Sequence, residues 1–514
     1  FSLGDAGNEL KYGFNYRKTN ATSEISWPGN GNYGDLFNYP GPVAFLTRQQ
    51  LAVADNEYTS LYLSDTITFG AITVNVGARY DLQSGNNVGA QVPANLLFPD
   101  LLPGIAGVDE PVNAEWEDIS PRLGLSWALG SQQKTVARAS YSRYADQLGA
   151  GITTFNNSAS IAGLYYDWTD DGDRVVEPGE IDPDNPLGSY GFDPNNPTAT
   201  SSPNLIDPNL EAGITDEIIV GVEHELMRDF VVGAAYTHRS YDGALIVRPN
   251  GITGADFEFY RNVEGTLPDG SHYSEPLYRL HEGTPIPPGI TLENRRDWKA
   301  IYDGVELTAQ KRLSNRWMAR ASFTWNDSKQ EGGADSCIDP TNDRGGAGNT
   351  WGGGIGLYTI GKCSGNTISA PPAGAISGAK AEIFLNSSWQ FNLAGLYQLP
   401  AGFAISANLY GREGYPQVYF DREDPGDGLG PRDVIIGNID DRRYDDILNL
   451  DAGIEKVLTL NPLQVTLSVN VFNVFNENPV LQRNGRVDVT GSAFNRLIEI
   501  QSPRVVRAGA RISF

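Results

Sequence analysis

Apolar and polar residues alternate with a period of two along many stretches of this chain. Leu463, Val465, Leu467, Val469 and Val471 fall on one face; Gln464, Thr466, Ser468 and Asn470 fall on the other. Ile72, Val74, Val76, Ala78 and Tyr80 oppose Thr73, Asn75, Gly77, Arg79 and Asp81. Trp317, Ala319, Ala321, Phe323 and Trp325 oppose Met318, Arg320, Ser322 and Thr324, and Leu448, Leu450, Ala452 and Ile454 oppose Asn449, Asp451, Gly453 and Glu455. Successive side chains of a strand project to opposite sides, so each stretch predicts a strand with one apolar and one polar face. Fourteen such strands are expected, centred near residues 13, 61, 76, 123, 140, 219, 236, 306, 322, 393, 407, 451, 469 and 508.

The connections between them alternate in length. Six are tight: Phe69-Gly70-Ala71, Leu129 to Lys134, Leu226 to Asp229, Leu313 to Arg316, Leu399 to Gly402 and Leu458 to Pro462. The others run from roughly twenty to more than sixty residues, far beyond ordinary loop lengths. Period alone does not separate a soluble sandwich, apolar face inward, from a membrane barrel, apolar face outward. Strand length does. Many of these strands run about ten residues or more, where globular strands average about five or six and tilted membrane strands need about nine to eleven. The polar faces carry Arg79, Arg138, Arg320, Arg507, Arg511, Glu223, Glu306, Asp451 and Glu455, which suit a water-filled lumen. An even strand count, with short turns on one side and long loops on the other, is the signature of a bacterial outer-membrane barrel. The expected fold is all-β: a transmembrane antiparallel β-barrel over 1–514, with short periplasmic turns and long extracellular loops.

Composition adds limits rather than a second picture. Hydrophobic residues are 40% of the 514, and no apolar run approaches the length of a membrane-crossing helix. No charged leader and apolar core open the chain at Phe1-Ser2-Leu3-Gly4, so it is expected to be a processed product or a piece of something longer. The 24 Tyr and 9 Trp suit aromatic belts at membrane boundaries, although a secreted all-β protein shares that composition. A net charge of -25 argues against a nucleic-acid partner, because no basic face is available to neutralise phosphate. The acid concentrates in long connections, 167–184 and 421–433 among them. Those loops are either simply solvated or bind divalent cations. Rich in Gly, Pro, Asn and Asp, they read as turns rather than independent domains.

One acidic stretch has more specific chemistry. Thr169 to Glu180 fits a twelve-residue calcium loop, with oxygens at Thr169, Asp171, Asp173 and Glu180, the Val175 carbonyl at position seven and apolar Val176 at eight. Threonine replaces the usual acid at position one and Arg174 the usual glycine at six; Asp167 or Asp170 stands near enough to supply the missing charge. An acidic solvated loop is the other reading. The two cysteines, Cys337 and Cys363, share the connection 329–386. They lack zinc spacing and are read as a disulfide within an exported loop, two free thiols being the alternative. His224, His238, His272 and His281 form no HExxH motif, and no GxSxG elbow accompanies them. An enzyme is not expected, although an ester hydrolase inside a barrel needs only a Ser–His pair. Gly345 to Gly348 and Gly352 to Gly354 follow no strand-to-helix pattern and read as loop rather than phosphate cradle. Tyr165, Tyr166 and Trp168, in the large acidic connection 146–211, suit packing within that loop more than ligand stacking.

The stretch Asn470-Val471-Phe472-Asn473-Val474-Phe475-Asn476, followed by a last strand ending at Phe514, resembles the C-terminus of TonB-dependent receptors. Tyr58 to Asp65 followed by Val76 to Asp81 resembles paired strands of the same family. Ser120-Pro121-Arg122-Leu123-Gly124-Leu125 with Ala139 to Tyr144 points to its Oar-like branch. The resemblance implies TonB-energised transport across the outer membrane, with ligand captured by external loops and a plug. It also implies about 22 strands, as in plugged outer-membrane transporters, whereas no plug and only fourteen strands are found. The chain is therefore expected to be the C-terminal portion of a larger barrel. Val506, Ala508, Ala510, Ile512 and Phe514, outward on the final strand, resemble the signal read by the barrel-assembly machinery; they equally suit a plain closing strand. The expected partners are outer-membrane lipid, TonB through a region outside this chain, and the assembly machinery. A structural or adhesive barrel binding another surface protein, or a passive channel, are the alternatives.

Overall fold

The computed structural model describes residues 2–3, 6–36, 41–111, 115–159, 161–286, 289–332, 339–341 and 387–514. All fourteen expected strands are present: β1 Ala6–Ile25, β2 Gln50–Phe69, β3 Ile72–Val88, β4 Trp116–Leu129, β5 Thr135–Ala145, β6 Ile214–Met227, β7 Phe230–Asp242, β8 Trp298–Ser314, β9 Trp317–Gly332, β10 Trp389–Gln398, β11 Phe403–Arg412, β12 Ile447–Leu460, β13 Leu463–Phe472 and β14 Val505–Ser513. Each pairs antiparallel with the next in chain order, forming one continuous wall. Ser2–Leu3 adds a short piece at the base of β1. Among the described residues β14 pairs only with β13 and does not return to β1.

The tight turns close as their residues require. Asn315 and Arg316, between β8 and β9, both adopt positive φ, the geometry whose twist matches the flanking strands. Gly402, between β10 and β11, is at φ 76°, and a Cβ there would lie 2.7 Å from the carbonyl oxygen of Val457.

Register aligns the apolar residues of successive strands into one band. Phe14 pairs with Leu61 and Leu61 with Tyr80. Val220 pairs with Tyr236, Tyr236 with Val305 and Val305 with Trp325. Leu393 pairs with Leu409, and Ile405 with Ile454 and then Val469. These residues are exposed in the protein alone: Phe14 by 65%, Leu61 by 53%, Val220 by 50% and Leu393 by 49%. Soluble monomers rarely expose apolar patches of such extent, so the band faces lipid. The opposite face pairs charge with charge, as in Arg138–Glu223 at 2.7 Å and Arg79–Asp81 at 2.8 Å. On the outward face the band ends in polar pairs, Lys18–Glu57 at 2.9 Å, Arg143–Asp216 at 2.9 Å and His238–Asp303 at 2.8 Å. They mark the outer boundary of the hydrocarbon.

β1 pairs with β2 from Gly7–Thr68 to Ile25–Gln50 without a shift of register. Twenty residues at about 3.3 Å each, tilted by about 45°, climb well past a hydrocarbon core of about 30 Å. The surplus carries the external connections, and here the expectation of mere turns is corrected. Those connections fold. A four-stranded sheet joins Asn32–Asp35, Val43–Arg48, Ala162–Asp167 and Gly188–Tyr190; a three-stranded one joins Leu205–Ile206, Leu245–Pro249 and Ile290–Asn294. Hairpins add Phe257–Thr266 with His272–Leu280 and Phe420–Glu423 with Arg432–Ile435. The buried hydrophobic clusters of the molecule lie in these loops and at the adjoining strand ends. The physical reason is solvent: lipid serves the wall as its apolar phase, whereas loops in water must bury their own apolar residues.

Candidate functional site: the external loop assembly

The largest of these clusters organises the first three external loops. Ala44, Leu46, Leu164, Tyr166 and Trp168 point from the four-stranded sheet onto Phe98, Leu102, Val176, Ile181 and Phe192. Alternation inside the sheet places Tyr33, Phe45, Tyr165 and Tyr190 on its other face. Their rings form a row continued by Trp27, with centroid spacings of 5.4 Å for Trp27–Tyr33, 4.8 Å for Tyr33–Phe45, 6.1 Å for Phe45–Tyr165 and 6.4 Å for Tyr165–Tyr190. Of the three aromatics singled out in the sequence, Tyr166 and Trp168 are buried packing residues and Tyr165 belongs to this row. The row itself was not visible in the sequence, because its members come from different loops.

The acidic turn hangs from the same sheet. Trp168 donates its indole N–H to Glu180 Oε2 at 3.0 Å, and the backbone N–H groups of Asp171 and Glu177 donate to the same carboxylate at 2.9 and 3.0 Å. The Trp168 bond first, then those of Asp171 and Glu177, holds the Glu180 carboxyl below its usual range. Carboxylate oxygens of Asp170, Asp171, Asp173 and Glu180 all lie within 4.8 Å of one another. The structure thus brings together Asp171, Asp173 and Glu180 from the expected ligand set. Asp170, which also accepts the Arg174 N–H at 2.8 Å, takes the place expected of Thr169. Thr169 joins through its backbone, donating to the Glu180 carbonyl at 3.0 Å. Arg174 adopts φ 64°, so the position usually given to glycine has its left-handed turn despite the side chain. Val176 is buried in the sheet's core and Val175 is exposed. No ion pair engages the four carboxylates among the described residues. Hard oxygen donors at this density fit calcium.

Arg432 is enclosed by Asp427 and Asp339, and Asp427 also accepts the Leu280 N–H, tying the loops after β7, β9 and β11. The four histidines are scattered: His224 on Thr135, His238 on Asp303, His272 on Thr266 and His281 on Glu258. Cys337 and Cys363, with most of 329–386, lie outside the described residues.

Residues 5–352 match the family of outer membrane beta barrel domains. The chain belongs to that family. This outer-membrane barrel domain therefore sits in the bacterial outer membrane, as its apolar band requires. It is 24% identical over 301 residues to the TonB-dependent transporter Oar of Myxococcus xanthus, a stretch covering 55% of this chain and 24% of that protein. The barrel domain thus matches about a quarter of that curated relative's length. Among solved structures it is similar to the siderophore receptor PiuA of Acinetobacter baumannii, with a TM-score of 0.45 and 10% identity over 100% of this chain and 54% of that one. It is also similar to the outer membrane transporter YddB of Escherichia coli, with a TM-score of 0.40 and 10% identity over 99% and 60%. Likeness this distant says nothing about a substrate.

Proposed function

We propose that this chain forms the wall and external loop assembly of a TonB-dependent transporter that moves a substrate across the outer membrane. The relationship to a TonB-dependent transporter over 301 residues supports this reading most. A polar inner face roofed by folded loops suits capture followed by passage. On this reading TonB acts through a plug not found among these residues, and further strands complete the wall to about 22. Among the described residues the outer edge of β14 and the outer edge of β1 beyond Ser2–Leu3 carry no partner strand, which supports the added strands, since unpaired backbone groups in hydrocarbon cost several kcal/mol each. Intact-mass measurement of the native protein tests the point. A mass well above 55.8 kDa, with a plug encoded upstream, is expected; a mass near that value removes the missing strands. Site-specific crosslinking of the native protein to TonB in cells is expected as well, and its absence sinks the transport reading. Single-channel conductance from this chain alone would favour a passive channel.

The turn Asp170–Glu180 is proposed to bind calcium, with Asp170, Asp171, Asp173 and Glu180 as carboxylate donors, so that the ion stiffens the loop assembly. Free calcium at about a hundred times its Kd is expected to protect the loops by about 2–3 kcal/mol. Hydrogen exchange within 162–190 should slow on adding calcium and speed on chelation. Exchange indifferent to both, with no metal in elemental analysis, rejects the site. The Cys337–Cys363 disulfide and the assembly role of Val506, Ala508, Ala510, Ile512 and Phe514 remain proposals of the same kind. Val506, Ala508, Ala510 and Ile512 pair with the outward residues Val471, Val469, Leu467 and Val465 of β13.

A further inference from the structure

Arg48 is buried in the loop assembly, and no countercharge meets it among the described residues. It ends the strand Val43–Arg48 on the side of Ala44 and Leu46 and is 1% exposed. Its Nη1 donates to the Pro103 carbonyl at 3.2 Å and its Nη2 reaches the Ser158 carbonyl only at 3.5 Å. The Phe192 ring lies 5.8 Å from the guanidinium carbon, and Nε has no hydrogen-bond partner among the described residues. A guanidinium offers five N–H donors, so most of this one's capacity is unspent. Burial pulls its pKa down to about 10, which leaves it charged at neutral pH. A buried charge with no partner is among the costliest groups a fold can hold.

The surroundings offer a remedy. Arg48 lines a half-open cavity of about 240 Å³ where the first three external loops meet, together with Ser158, Asn196, Ser201 and Ser202. Those side chains present hydroxyl and amide donors. The one carboxylate on the lining, Asp193, is turned to its own loop, where it accepts from the Asn195 backbone N–H at 2.9 Å and from the Asn195 side chain at 3.2 Å. At about 30 Å³ per water molecule, the space suits a small anion with some hydration. We propose that this cavity binds a small carboxylate or phosphate whose charge answers Arg48. The site stands whether or not the wall belongs to a transporter.

Calorimetry on the native protein in detergent, with inorganic phosphate and with malonate as probes against chloride of equal ionic strength, tests it. Saturable binding of at least one probe is expected. The preference between them tells a phosphate site from a carboxylate site. Arg48→Met should weaken binding at least about tenfold, the scale of losing a hydrogen bond to a charged group. Ser202→Asp supplies an independent variant. Ser202 is half-buried and its hydroxyl accepts the Asn204 N–H at 3.1 Å, a role aspartate can keep while placing a resident carboxylate on the cavity wall. It should abolish binding of both probes, and it decides the matter if Arg48→Met does not fold. Heat from neither probe in the unaltered protein, or binding equal in all three proteins, overturns the proposal. A merely structural Arg48 predicts the first of those outcomes.

Discussion

Leu307→Arg prevents this wall from assembling stably in a bilayer, whereas Thr308→Arg, one residue further along β8, leaves it intact. Leu307 is 48% exposed in the protein alone and pairs with Ala234 on β7 and Phe323 on β9, in the middle of the outward band. The β8–β9 turn lies about seven residues away, which places Leu307 near the bilayer midplane. Arginine on the lipid face at that depth costs about 2–4 kcal/mol, while substitutions facing the lumen are tolerated. Thr308 points the other way, beside Gly233 and Ser322 on the polar face. Folding into lipid vesicles, followed by gel mobility with and without heating and by urea titration, reads the difference. Equal stability of the two variants would falsify the assignment of faces. Reversed stabilities would place lipid on the other side of the sheet.

That contrast rests on the part of the molecule that was legible in the sequence. A period of two sustained over ten or more residues, closed by turns such as Asn315-Arg316, admits one structure, because a slip of one residue moves an entire apolar face to the wrong side. The loops obey no such local rule. Ala162 pairs with Arg48, and Gly163 with both Thr47 and Tyr190, across separations that leave no trace in periodicity. Short strands such as Asn32–Asp35 are indistinguishable from turns until their partners are known. The acidic turn Asp170–Glu180 falls between these cases. Its acidic spacing was legible because all its carboxylates come from one segment, but that Asp170 rather than Thr169 joins the cluster depends on how Trp168 and Glu180 anchor the turn to the sheet. Arg48 was not legible at all. An arginine ending an apolar run has no message until Phe192 and Pro103, from two other loops, enclose it.

Arg432→Met opens the external loops while leaving the wall in place. The guanidinium is 1% exposed; its Nη1 and Nη2 donate to Asp427 at 2.9 and 2.7 Å, and its Nε donates to Asp339 at 2.9 Å. Asp427, itself 3% exposed, also accepts the Leu280 and Leu429 backbone N–H groups at 3.1 and 3.0 Å. Asp339 accepts the Thr341 N–H at 2.9 Å, and the Thr341 hydroxyl in turn accepts the Tyr278 N–H at 3.1 Å. Methionine matches much of the volume and strands the Asp427 carboxylate among backbone donors alone. Removing one partner of a buried pair costs about 3–5 kcal/mol, which raises local opening by roughly a hundredfold to a few thousandfold. Hydrogen exchange and limited proteolysis of 257–280 and 427–435 should report that opening, while the heat-dependent gel mobility of the wall stays unchanged. Adding Asp427→Leu should recover most of the loss, since a buried ion pair replaced on both sides by apolar groups is often neutral. Protection unaltered in the single variant would show that the three loops hold together without this pair. A wall destabilised along with the loops would show instead that loops and wall unfold as one unit, contrary to the division of apolar burial between lipid below and loop cores above.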